Sequence, residues 1–129
     1  MEPLEIEGFI LERINSELPR VRVDLMPDYG AEEVLSQAAI HEDGAAFIQY
    51  TGTQNEFLQG IDKISFAVFV SGKGYRTAKK RLDEIKNALR NFHYETPYKI
   101  FIESDGFDVE RNGVFIYTVN VYTLRHTFT

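Results

Sequence analysis

The residues able to do chemistry are few and scattered. His41, His93 and His126 are the only imidazoles, and they lie far apart along the chain. A metal site needs two or three such ligands to converge with a carboxylate. His41-Glu42-Asp43 comes nearest to a ligand cluster, but three adjacent residues on a loop point in different directions. Asp105, Asp108 and Glu110 are the densest late carboxylates, the kind of group a hydrolase uses as an acid/base pair. Next to the turn residues Asn112-Gly113, solvated acids are the simpler expectation. Gly72-Lys73-Gly74-Tyr75-Arg76-Thr77 joins a strand to a helix start, where backbone N–H groups can hold an anion. It lacks the spacing of a phosphate loop or a dinucleotide fingerprint, and a turn with a helix cap explains it. With no Cys in the chain, a thiol nucleophile, a disulfide scaffold and a Cys-ligated zinc site are excluded. The expectation is a protein without catalytic residues, metal or cofactor.

Hydrophobic spacing predicts the elements that carry these residues. At 129 residues, with no repeat, low-complexity stretch or linker, a single domain over 1–129 is expected. Ile6, Ile10 and Ile14, widened by Phe9, Leu11 and Leu18, predict a helix over Leu4 to Leu18 that ends at Pro19, with Glu5 and Glu12 facing away. Val21, Val23 and Leu25 alternate with Arg22 and Asp24 as in a half-buried strand. Residues 28–44 read as a short helix or a loop. Ala45 to Thr51 and Lys63 to Val70 read as hairpin strands joined by a long Gly52 to Gly60 connection. Ala78, Leu82, Ile85, Leu89 and Phe92 define a second helix over Tyr75 to Phe92.

Three strands are expected after Pro97: Tyr98 to Glu103, Phe107 to Arg111, and Val114 onward, with turns at Ser104-Asp105-Gly106 and Asn112-Gly113. A single strand from Val114 to Phe128 would reach ~50 Å at ~3.3 Å per residue, beyond the usual ~3–10 residues. Either it bends at a bulge or its end leaves the domain to pair with a neighbour, and its aromatics on both faces favour the second. The class is α+β: a mixed, mainly antiparallel sheet with two main helices packed on one face.

Charge is divided along the chain. Residues 1–62 hold 3 Arg and no Lys against 13 Asp+Glu, and residues 63–129 hold 11 Lys+Arg against 7 Asp+Glu, which gives −10 and +4. The acids are interleaved with apolar residues, so they mark a polarised surface and not a tail. Along the second helix Arg76, Lys79, Lys86 and Arg90, with Asp83, form a cationic stripe. A net charge of −6 opposes the phosphate binding that a nucleic-acid partner would need. No apolar run approaches the ~20 residues of a membrane span. Three Glu and no Lys or Arg within Met1 to Glu7 oppose a signal peptide, and a soluble intracellular protein is expected. The stripe and the last-strand residues Tyr122, Leu124 and Phe128 are the expected subunit contact.

The order of these elements, with Phe66-Ala67-Val68-Phe69-Val70 closing the hairpin, Gly74-Tyr75-Arg76-Thr77-Ala78 opening the helix and Tyr122-Thr123-Leu124-Arg125-His126-Thr127-Phe128 closing the meander, resembles the tail terminator and minor tail proteins of long-tailed bacteriophages. The resemblance covers nearly the whole chain. It implies a small structural subunit that assembles as a ring, commonly a hexamer, on the last layer of the tail tube. Such a ring stops growth of the tube and offers a docking surface to the head–tail connector protein. Its partners would be itself, the tube protein and the connector, with no membrane and no specific nucleic acid. Its location would be the virion tail, reached from the host cytoplasm. The alternatives from the residues are a cytosolic α+β module that binds a small ligand or regulates a partner as a homo-oligomer, and a small hydrolase using the carboxylates around Asp108.

Overall fold

The structure is a computed structural model that describes residues 2–26, 30, 44–90 and 99–127. Helix α1 spans Pro3–Glu17. Proline suits this first turn, where its missing N–H would have no intrahelical partner. Ile6, Ile10 and Ile14 are fully buried while Glu5 and Glu12 are exposed. The last turn closes with the Leu18 N–H donating to the Ile14 carbonyl at 2.8 Å, and Pro19 follows. Helix α2 spans Tyr75–Arg90 and buries Ala78, Leu82, Ile85, Ala88 and Leu89. The expected helical residue Phe92 lies outside the described residues, as do most of residues 28–44.

Five strands follow one another across the sheet in the order β1-β2-β3-β5-β4: β1 Arg22–Leu25, β2 Ala45–Leu58, β3 Ile61–Lys73, β4 Phe101–Arg111 and β5 Val114–His126. β1 runs parallel to β2, and every other neighbour is antiparallel. The fold is α+β. α1 lies over β1 and β2, and α2 over β3, β5 and β4. Ile48, Phe66, Val68, Val119 and Val121 meet both helices in one core. Because side chains alternate along a strand, the intervening residues form the opposite face, where Ala45, Phe47 and Ile116 make a smaller cluster with Met26, Phe69 and Val109.

Three expectations change. First, the Gly52 to Gly60 connection is mostly strand: β2 continues to Leu58, and bulges between Tyr50 and Gly52 and between Gln54 and Leu58 absorb the polar residues. The Glu7 carboxylate, on the buried face of α1, accepts the Tyr50 N–H at the first bulge. Second, Ser104-Asp105-Gly106 is not a turn. These residues pair with Asn120, Val119 and Thr118 of β5, and bulges on either side let β4 run unbroken. A long regular neighbour supplies ladder partners that outweigh local turn propensity. Third, β5 does not leave the domain. It is an interior strand, matched residue for residue to β3 from Val114 opposite Lys73 to His126 opposite Ile61, and flanked by β4 from Val114 to Tyr122. The length that pointed outward is taken up by an equally long β3.

Two local features follow from glycine. At Asn112-Gly113 both residues have positive φ, 54° and 84°, as a tight hairpin turn requires. Gly72 is extended, but a Cβ there would lie 2.9 Å from the backbone nitrogen of Ala78 and 3.0 Å from its Cα. Glycine thus lets the first turn of α2 rest directly on β3, and the Gly72–Thr77 segment serves helix packing, with the Ala78 N–H already donated to the Gly74 carbonyl.

Candidate functional site

Of the three histidines, His41 and His93 lie outside the described residues, and His126 ends β5. Among the described residues no group of three or more acidic or histidine side chains is gathered at metal-binding distance. Nor does β4 gather its carboxylates. Asp105 forms an ion pair with Lys86 of α2 at 2.8 Å, and Glu110 accepts the Gly113 N–H at 2.9 Å. Asp108 lines a cavity on the face away from the helices. That cavity, about 170 Å³, is bounded also by Met26, Gly30, Gln49, Phe69, Val109 and Ile116.

The expected contact residues fall on two surfaces. Along α2, Arg76 is exposed and makes no ion pair among the described residues. Lys79 Nζ donates to Asp83 at 3.2 Å, and this hydrogen bond, reinforced by the negative charge of Asp83, raises the Lys79 pKa above its ordinary value. Lys86 is held over the sheet by Asp105, and Arg90 donates to the Asn87 side-chain oxygen at 3.3 Å. The stripe is therefore partly neutralised from within. Tyr122 and Leu124 point to the opposite side of the sheet, since their neighbours Val121 and Thr123 are buried toward the helices. Phe128 lies outside the described residues. Tyr122 stacks on Phe101 with ring centroids 5.2 Å apart, and Lys63 sits 4.7 Å above its ring and 5.2 Å from that of Phe57. Glu103 completes this group with a 2.6 Å ion pair to Lys63. A lysine between two rings and a carboxylate ties β2, β3, β4 and β5 together on their exposed face.

One surface escaped the sequence pattern. Tyr75 at the start of α2 and Phe107 on β4 are each 57% exposed, and both meet the ring of Phe115, at 6.1 and 6.2 Å. Phe107 also stands edge-on to Tyr117 at 5.8 Å. The cluster exists because β4 lies beside β5 under the first turn of α2, a juxtaposition that spacing alone does not give. α1, by contrast, exposes Glu2, Glu5 and Glu12, with no ion pair to any of them among the described residues. The two helices, neighbours on one layer, thus differ in charge, α1 mainly acidic and α2 mainly cationic. Across the described residues no helix is long and apolar enough to cross a membrane.

Neither a protein-family model nor a curated protein matches the chain. Among solved structures it is similar to the type 4 fimbrial biogenesis protein PilO from Pseudomonas aeruginosa, with 9% identity and a TM-score of 0.36 over 95% of this chain and 84% of that one. A likeness at that level assigns neither fold nor partner.

Proposed function

We propose that the protein is a structural subunit of a phage tail. It forms a ring, of six copies by its resemblance to tail terminator proteins, that seats on the last layer of the tail tube. There it ends polymerisation and presents the surface on which the head–tail connector docks. It carries out no catalysis and holds no cofactor. The observation that carries this reading is the charge division of the helical layer: α1 exposes Glu2, Glu5 and Glu12, and α2 carries Arg76, Lys79, Lys86 and Arg90. A ring closes only through a heterologous contact, in which two different patches of one subunit meet, and opposite charge on two elements supplies patches that differ. Charge steers and orients such a contact more than it strengthens it, so apolar surface must provide most of the affinity. Negative-stain images of the purified protein test the reading. Rings with a central hole are expected, and monomers or two-fold dimers at every concentration would refute it.

The cavity on the opposite face favours a second reading, a small-ligand module. Its volume of about 170 Å³ is below the ~300–1,000 Å³ of ordinary ligand pockets and is near the ~150 Å³ that holds benzene. It suits one aromatic or aliphatic group, and soaking with small aromatics followed by chemical-shift mapping at Phe69 and Ile116 separates the two readings.

A further inference from the structure

We infer that the subunit contact is a head-to-tail junction in which the aromatic cluster at the β4 edge of one copy, Tyr75 and Phe107, packs on the leucines at the β1 edge of the next, Leu4 and Leu25. The inference rests on the ring reading above and deepens it by naming the two patches. Leu4 on α1 is 67% exposed and Leu25 on β1 is 41% exposed. Together with Tyr75 and Phe107 they are, among the described residues, the four most exposed large apolar side chains but for Leu58 at the hairpin end. Since α1 lies over β1 and β2, the leucines and the aromatics occupy opposite edges of the sheet order β1-β2-β3-β5-β4.

Their surroundings are complementary in charge. Glu5 directly follows Leu4 and is exposed, as is Glu12 two turns on. Beside the aromatics, Arg76 directly follows Tyr75 and is exposed, and Lys79 lies one turn further. Asp108, the acid next to Phe107, turns to the far face and lines the cavity, while Glu110 is engaged by the Gly113 N–H. An apolar centre with a charged rim is the usual anatomy of a specific interface, and aromatic side chains dominate its energetics. Patches on opposite edges cannot satisfy each other within a closed two-fold pair. Each junction leaves one free patch at each end, so copies add in one direction until the turn closes.

Complementation between variants tests this. One variant carries Tyr75→Ser and Phe107→Ser, the other Leu4→Ser and Leu25→Ser, and thermal unfolding checks that both fold. Each alone should sediment as a monomer, with self-association weakened at least about tenfold. An equimolar mixture should form one-to-one dimers and nothing larger, because only one intact junction can be made. Should the serine variants fail to fold, Arg76→Glu and Glu5→Lys replace them, both side chains being exposed and without ion pairs among the described residues. Each reversal should weaken the ring at low salt, and their combination in one chain should restore it. If either serine variant assembles like the parent, or the mixture stays monomeric, this junction is wrong while the ring reading stands. If the parent protein is monomeric throughout, both fall together.

Discussion

Asp62 offers a sharp test of the energetics, because a single carboxylate joins the ends of three strands. It is only 3% exposed. Its Oδ1 accepts the Glu56 N–H at 3.2 Å and the Thr127 hydroxyl at 2.9 Å, and Oδ2 lies 3.7 Å from the Arg125 guanidinium. Asp62→Ala removes the acceptor of both hydrogen bonds and the Asp62 side of the Arg125 ion pair, and leaves the Glu56 N–H to find water. Hydrogen bonds to a charged acceptor contribute about 1.5–3 kcal/mol each, and breaking a buried pair costs about 3–5 kcal/mol. The groups share one acceptor and do not add fully, so a loss of about 3–5 kcal/mol is expected. Asp62→Asn keeps an acceptor oxygen of the same shape and should lose about 1–2 kcal/mol. Against a folded domain's stability of about 5–15 kcal/mol, either loss is large enough for urea unfolding to measure, and hydrogen exchange at Glu56 reports the hairpin end directly. An alanine variant within about 0.5 kcal/mol of the parent, the range of an ordinary surface change, would refute the reasoning.

Three further outcomes follow from the packing. Gly72→Ala should destabilise by about 1–3 kcal/mol in chemical denaturation, because the closest atoms the new methyl meets are backbone atoms of Ala78, which cannot swing aside as a side chain can. Thr123→Val should be neutral or stabilise by about 1 kcal/mol, since the Thr123 hydroxyl is buried without a hydrogen-bond partner among the described residues and its removal relieves an unpaired polar group. For Lys86 and Asp105, whose side chains are 16% and 30% exposed, a double-mutant cycle should give a coupling of about 1 kcal/mol that shrinks with added salt, as expected near a surface.

The periodic elements were legible because burial on one face leaves a mark in every second or every third to fourth residue. The isoleucines of α1 and the apolar face of α2 are of this kind, as is the alternation in β1. Pairing partners leave no such mark. Nothing in Val114 to His126 says that Ile61–Lys73 would match it residue for residue, so its length pointed outward when the strand is interior. Ser104-Asp105-Gly106 carries turn residues, yet β5 supplies their ladder partners. The contact residues show the same division. The cationic stripe is visible along the sequence, but its partial neutralisation by Asp105 from β4 is not. The Tyr75–Phe115–Phe107 cluster arises from strand order and from where the first turn of α2 rests, and the placing of Tyr122 against Phe101 and Lys63 from strand order.

The central claim is that this subunit closes the end of a growing tail tube. A tube elongates because each bound ring offers the next an equivalent surface, and it stops when a ring that differs on its outer side is bound. The measurement that tests this most directly is the length distribution of tails, by electron microscopy, in phage particles assembled without this protein. The account predicts tails of variable, mostly excessive length that do not join heads, with normal length restored when the protein is supplied again. Tails of normal length attached to heads in its absence would contradict it.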